Sequence, residues 1–497
     1  MRPGPAGTIC RYSFGLLLPA LILGAVLGAC SREAPQYNLV LICIDTVRYD
    51  SFVQTALPDA LDPWLERAQI YDHAMASGPW TMPSVASTLT GRYAAEHGAG
   101  RFRNAVANLD TDPPSPLADE AVTLAEVLGQ HGFRTGAFVA HPFFTTGLGL
   151  DQGFEVVRPA KGWGHNLDNF GKWKARLDPT ERFFGYLHFM EAHDRHKAGD
   201  EGLLARLETL PPEIRRDVRA RASKEACQSE DGRRCLQHQV YNAAVLDLRQ
   251  GIAAVLQYLE DSGQLENTVV MLYSDHGEEF WEHRQEQRRA AEDPRGVYGF
   301  GHGQSLYQEL LHVPLLAWVP GQAGARHEQL VSLVDVAPSV FEWLRIDDGR
   351  PPVSGSALPL GNQAPTRAEE PRAVYASGIA YGPEKIAARL GPEKTVFSPA
   401  DDRYQYFDLA SDPDERTPLP QSDDRVMLFD TLVGDYLELA AHARVAESSQ
   451  FSDEQIRQLK AIGYLQGVET EKPAPPATDN DAGDPEPPAL DETDSPR

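Results

Sequence analysis

At 497 residues, with 42% apolar side chains, the chain can fill a large α/β core with a smaller unit beside it, which excludes a largely disordered protein. Its formal net charge of -26 leaves no basic surplus to neutralise phosphates, so nonspecific binding to nucleic acid is excluded. An anionic substrate therefore needs a locally positive pocket, which a metal ion would supply.

Residues 1–30 read as an export segment, because Arg2 and Arg11 precede an apolar run, Phe14 to Val26, that is too short for a comfortable membrane span. The run closes on Leu27-Gly28-Ala29-Cys30, which resembles the lipobox of bacterial lipoproteins, where the cysteine is acylated and becomes the new N-terminus. The expectation is lipidation at Cys30 and anchorage at the cell envelope, with an ordinary signal-peptide cleavage as the alternative. Ser31, rather than an aspartate, after the cysteine points to the outer membrane facing the periplasm if the cell is Gram-negative. The segment Ser31 to Gln36 would hold the folded body within about 20 Å of such an anchor.

From Asn38 onward, apolar runs of strand length alternate with longer helical stretches, as expected for a mostly parallel sheet flanked by helices on both faces. Four runs end in a polar residue able to hold a ligand: Leu39 to Ile44 before Asp45, Ala137 to Ala140 before His141, Phe183 to Leu187 before His188, and Val269 to Ser274 before Asp275. Ligands of open α/β sheets collect outside the carboxyl ends of the strands, so these four side chains are expected to converge. Cys43 lies inside the first run and reads as a small buried residue. Cys227 and Cys235 flank the polar stretch Gln228 to Arg234, where a local disulfide and two free thiols both remain open. Val240, Ala244, Leu246, Ile252, Val255 and Leu259 form a helical stripe of ordinary core type.

The main α/β domain is expected over 37–370, and a small C-terminal α+β subdomain over 371–467. The smaller unit contains the strand-like Tyr404-Gln405-Tyr406-Phe407, the turn Asp412-Pro413-Asp414 and a terminal helix. Residues 468–497 are acidic, rich in proline and without aromatics, which predicts a disordered tail.

Two stretches carry chemistry. Trp80-Thr81-Met82-Pro83 opens a helix, with Thr81 able to cap it and Pro83 tolerated in the first turn. A hydroxyl there sits at the positive helix end, although such a threonine is far more often only a cap. Asp275-His276-Gly277-Glu278 follows a strand and pairs a carboxylate with an imidazole, a fit to a divalent metal. Asp45 makes a third ligand and leaves positions for the Thr81 hydroxyl and a substrate oxygen.

In this order the motifs resemble the sulfatase family of the alkaline phosphatase superfamily. The run from Asn38 to Asp50 is similar to the family's opening strand with its metal-binding aspartate, and Pro83-Ser84 with Leu89-Thr90-Gly91-Arg92 has the spacing of its nucleophile signature. Ser274-Asp275-His276-Gly277-Glu278 resembles the second metal motif, Val334-Asp335-Val336-Ala337-Pro338 a helix start, and Phe407-Asp408-Leu409 with Asp412-Pro413 and Glu415 the closing subdomain. The resemblance implies an alkaline phosphatase/sulfatase-like α/β fold and one divalent metal (Mn, Zn, Ca or Mg, with room for a second ion) on Asp45, Asp275, His276 and Thr81. His276 tilts the choice toward Mn or Zn. It further implies catalytic roles for Thr81, His302 and His193 and substrate binding by His141 and His188, with Arg48 and Asp50 in support and Trp80 packing.

The departures bear on the reaction. Thr81 stands where sulfatases carry the cysteine or serine that matures to formylglycine, Val85 replaces the usual arginine, and His302 occupies a lysine position. A threonine nucleophile resembles instead the nucleotide phosphodiesterases and the phosphoethanolamine or glycerophosphate transferases of the superfamily. The expected function is hydrolysis of an anionic sulfate or phosphate ester through a covalent threonine intermediate, the natural substrate being a lipid or envelope glycan. A phosphotransferase and a non-catalytic envelope binding protein are the alternatives.

Overall fold

Asn38–Ile44 (β1) is buried along its whole length. Alternate side chains of a strand go to opposite faces, so Leu39, Leu41 and Cys43 enter one hydrophobic core and Val40, Ile42 and Ile44 another. That is why the segment reads as a continuous apolar run rather than an alternating one. Burial of each such side chain contributes about 2 kcal/mol. The computed structural model describes residues 36–461 apart from 54–58, 105, 110–111, 146, nearly all of 196–231, 362–370 and 442–450 except 446. Cys30, Cys227, the side chain of Cys235 and the tail 468–497 lie outside the described residues.

Seven further strands join β1 among the described residues: Gln69–Met75 (β2), Phe133–Val139 (β3), Val156–Pro159 (β4), Arg182–Phe189 (β5), Thr268–Tyr273 (β6), Leu315–Trp318 (β7) and Ala325–Ser332 (β8). Their order across the sheet is β8-β2-β7-β6-β1-β5-β3-β4. β7 runs antiparallel to both neighbours, and the other pairs are parallel. The expected mostly parallel sheet is therefore present, with β6, β1, β5 and β3 consecutive at its centre. One face is covered by Thr81–Thr90 (α1), whose Met82, Val85 and Leu89 join the core there. The other is covered by Trp163–Lys174 (α2) and Gly232–Asp261 (α3), through Phe170 and Trp173 and through Ala244, Ile252, Val255 and Leu259.

A second, antiparallel sheet follows in simple order: Ala373–Ser377 (β9), Ile386–Leu390 (β10), Glu393–Ser398 (β11) and Arg403–Asp408 (β12). The helix Asp423–Ala441 (α4) packs Phe429, Val433 and Tyr436 against it. This unit braces the start of α1: Trp80 Nε1 donates to the Gly378 carbonyl at 2.6 Å, and the Ser377 amide to the Ser77 carbonyl at 3.2 Å. Trp80, between the rings of Phe102 and Phe143, is thus both packed and tied to the smaller sheet. Among the described residues no helix is long and apolar enough to cross a membrane.

Candidate active site

The strand order brings the ends of β6, β1, β5 and β3 side by side, and with them Asp275, Asp45, His188 and His141, all buried. His188 lies inside β5, one residue before its end. Directly after Asp45 the chain turns at Thr46, whose φ of 61° is costly for a β-branched residue and points to a constrained turn. The turn aims the Thr46 amide at Asp275 Oδ1 (3.3 Å) and the Val47 amide at Ser274 Oγ (2.8 Å), so the two strand ends are clamped together.

Thr81 differs from its expected capping role. Trp80 holds the cap position with extended backbone, and Thr81 is the first residue of α1. Its hydroxyl is consequently directed at the strand ends, 3.5 Å from Asp45 Oδ2 and 3.4 Å from His276 Nε2. Gly91 ends the helix with φ 68°, where a Cβ would lie 2.8 Å from Val353.

Each carboxylate uses one oxygen for the protein and turns the other inward. Asp45 Oδ2 takes the His188 Nε2 hydrogen bond at 3.1 Å, and Asp275 Oδ1 accepts from the amides of Thr46 and His276. Asp45 Oδ1 and Asp275 Oδ2 have no hydrogen-bond partner among the described residues, with His276 Nε2 at 3.8 and 3.6 Å. His276 Nδ1 lies 2.9 Å from the Gly277 carbonyl, which can only accept, so that nitrogen carries the hydrogen and Nε2 is the nitrogen able to offer a lone pair to a cation. The ligating atoms of Asp45, Asp275 and His276 lie within 4.8 Å of one another.

The electrostatics agree. Burial alone would raise Asp45, but the His188 hydrogen bond and the imidazoles of His193, His188 and His276 hold it far below the usual carboxylate range. Burial and the charge of Asp45 push Asp275 upward instead. Two buried carboxylates with inward oxygens beside a basic imidazole nitrogen fit a divalent cation, for which Asp45, Asp275, His276 and the Thr81 hydroxyl are suitable ligands.

The remaining histidines line the same region. His302 packs 4.5 Å, centroid to centroid, from His276 and 5.1 Å from His193, and its Nδ1 is 3.1 Å from Glu278 Oε2. His141 stacks on His188 at 5.7 Å and meets His193 edge-on at 6.4 Å. Its Nδ1 accepts from the Phe143 amide, and burial holds its imidazole well below the ordinary histidine range. His188 contacts Asp45 directly, so the structure places it behind that carboxylate. Arg48 bridges Asp50 and Glu282 and reaches the Glu278 carbonyl.

Sequence reasoning assigned no role to Glu278, although it adjoins the Asp275-His276 pair, nor to Ser274. It also missed a second buried group, Glu279, His283 and Glu309, whose ligating atoms are equally close. There the atoms bind one another: His283 Nδ1 contacts Glu309 Oε1 at 2.7 Å, and Glu279 accepts from Gln287, Gln304 and the His283 amide. This group is satisfied without an ion.

Comparison with known proteins identifies the family and the fold. Arylsulfatase K of Gallus gallus is 28% identical over 187 residues, 36% of this chain, and the chain spans 32% of that relative's length. A solved chain in complex with its substrate D-glucosamine-2-N,6-O-disulfate aligns with a TM-score of 0.59 at 16% identity, covering 86% of this chain and 98% of that one. The phosphonate monoester hydrolase of Agrobacterium radiobacter aligns with a TM-score of 0.59 at 18% identity, covering 82% and 96%. At these identities the two structural likenesses are ones of fold. The sulfatase family model matches residues 37–346, more than half of the chain and the whole stretch that carries Asp45, Thr81, Asp275, His276 and His302, so the chain belongs to the sulfatase family.

Proposed function

We propose that this protein is a metal-dependent hydrolase of sulfate esters in which Thr81 is the covalent nucleophile. The observation that carries the reading is the approach of the Thr81 hydroxyl to Asp45 Oδ2 and His276 Nε2, beside the inward oxygens Asp45 Oδ1 and Asp275 Oδ2. A divalent cation bound by these four residues would polarise the ester and lower the pKa of the threonine hydroxyl. His188 holds Asp45 in place, and the amides of Thr46 and His276 hold Asp275, so neither carboxylate has to reorganise during the reaction.

In the first step Thr81 Oγ1, its proton released to solvent, forms a bond to sulfur while the sulfur–oxygen bond to the alcohol breaks, and His302, with His193 beside it, gives the departing oxygen a proton. In the second step water attacks the same sulfur, gives a proton back to the imidazole, and the Thr81–sulfur bond breaks. Sulfate leaves and the threonine oxygen is restored. His141, stacked on His188, would line the substrate side.

Thr81 itself supports a second reading, a phosphate ester as substrate. A formylglycine hydrate expels sulfate by collapsing to an aldehyde, whereas a threonine ester must be attacked again at its central atom, a displacement that metal-assisted phosphoryl transfer performs readily. Export and lipidation at Cys30, supported by the lipobox-like sequence, would place the enzyme at the cell envelope, with a lipid or envelope glycan ester as substrate. The test compares hydrolysis of aryl sulfate, phosphate monoester and phosphate diester by Mn- or Zn-loaded protein with that by Thr81→Ala. Sulfate turnover lost in the variant supports the main reading, phosphoester turnover alone supports the second, and inert wild type on all three rejects both.

A further inference from the structure

The Asp275-His276 motif runs straight into a short antiparallel ladder, in which Glu279 pairs with Gly301 and Phe280 with Phe300. Continuing that register by one rung sets Glu278 opposite His302. The side chains meet there, Glu278 Oε2 lying 3.1 Å from His302 Nδ1, although 24 residues separate them. Glu278 is fully buried and His302 is 7% exposed. The main chain around Glu278 is fixed on both sides: the Gly277 amide donates to the Leu310 carbonyl at 2.8 Å, and Arg48 Nη1 to the Glu278 carbonyl at 3.3 Å. At Gly277 a Cβ would lie 1.9 Å from the Glu309 carbonyl oxygen, so only glycine lets the chain pass and present the next residue inward.

We propose that Glu278 is a positioning residue for His302. It fixes the ring plane and commits Nδ1–H to the carboxylate, so that the opposite nitrogen, Nε2, is the one that exchanges a proton with the departing ester oxygen and then with the attacking water. A lysine at this position needs no such partner, because its ammonium rotates freely and all its donors are equivalent. An imidazole has two inequivalent nitrogens, and a carboxylate behind one of them decides which faces the substrate. The inference rests on the hydrolase reading above.

The experiment uses the full chain loaded with Mn or Zn and compares wild type, Glu278→Gln and Glu278→Ala on a nitrophenyl ester and an alkyl ester of the anion that is turned over. A nitrophenolate leaves without help, whereas an alkoxide needs its proton. Glu278→Ala is expected to lose about 100-fold in kcat on the alkyl ester and less than about 10-fold on the nitrophenyl ester, with KM changed little. The isosteric Glu278→Gln is expected to fall between wild type and alanine, and it guards against misfolding. Independently of turnover, nitrogen NMR of histidine-labelled protein should show His302 protonated at Nδ1 in wild type and shifted in Glu278→Ala, with His302→Ala assigning the signal. A loss equal for both leaving groups, or His302 signals identical in wild type and Glu278→Ala, overturns the assignment. Wild type inert toward both esters overturns instead the hydrolase reading on which it rests.

Discussion

Two buried clusters of carboxylate and imidazole lie on either side of Gly277 and are built from the same chemical groups, yet they are balanced differently. In the first, Asp45 and Asp275 each point one oxygen at the basic nitrogen of His276, and those oxygens lack hydrogen-bond partners among the described residues. In the second, both nitrogens of His283 face acceptors, Glu309 Oε1 at 2.7 Å and the Glu415 carbonyl at 3.0 Å, so the ring carries two protons and a positive charge. Lys394, fully buried, adds a second cation 2.7 Å from Glu415 Oε1 and donates to the Leu306 carbonyl. Buried charge is tolerated only when it is paired. The second cluster brings its own cations and ties the smaller sheet to the main one, whereas the first, on the reading proposed above, takes its cation from solution.

The largest effect expected from breaking this contrast is catalytic. Thr81→Ala should reduce kcat by at least about 1,000-fold in steady-state assays while leaving thermal unfolding close to wild type, because the substitution removes a reacting oxygen and little packing. Activity within tenfold of wild type would show that another group attacks.

On the other side, Lys394→Met should leave Glu415 buried without its cationic partner and cost about 3–5 kcal/mol of stability in denaturant unfolding. The variant should still turn over substrate at temperatures where it remains folded. Unchanged stability would mean that the junction between the two sheets does not depend on this pair.

Cation linkage sharpens the comparison further. Adding Mn or Zn to chelator-stripped protein at about 100 times its Kd should stabilise it by about 2.7 kcal/mol. The rise in melting temperature should vanish in Asp275→Ala and persist in His283→Gln. The reverse pattern would move the ion to the second cluster.

The smallest expected effect is a pH dependence centred on His283. Burial pushes its imidazole down, but the hydrogen bond and charge of Glu309, the Glu415 carbonyl and the charge of Glu279 carry it up to about 9. A pKa raised in the folded state gives stability that is full below the unfolded value, near 6.5, and is lost as pH rises to about 9. Glu279, pushed up to about 8 by burial and the charge of Glu309, acts in the same direction, its share being lost between about 4.5 and 8. The melting temperature should therefore fall between pH 6.5 and 9, and less steeply in His283→Gln. An equal slope in both proteins would remove His283 from the account.

Much of the first cluster was legible before folding, and little of the second. Asp45, His141, His188 and Asp275 stand at or near the ends of apolar runs, and a parallel sheet buried on both faces leaves few other places for a polar residue. Thr81 was found at the right helix end, but that it does not cap α1 and turns toward the strand ends instead was not legible, because this depends on the extended backbone of Trp80 and its tie to Gly378. His188 read as a substrate ligand because its neighbour Asp45 lies 143 residues away.

By itself, the amino-acid order determined the two-faced α/β sheet, the strand-end residues and the Asp275-His276 pairing, since these follow from local periodicity and from where apolar runs stop. Tertiary structure alone decided that β6 and β5 flank β1, that Glu278 stands behind His302, and that His283 and Lys394 neutralise Glu309 and Glu415. Those pairings join residues 21 to 230 positions apart, and which buried charge meets which partner is set by strand register and sheet order, which no local pattern encodes.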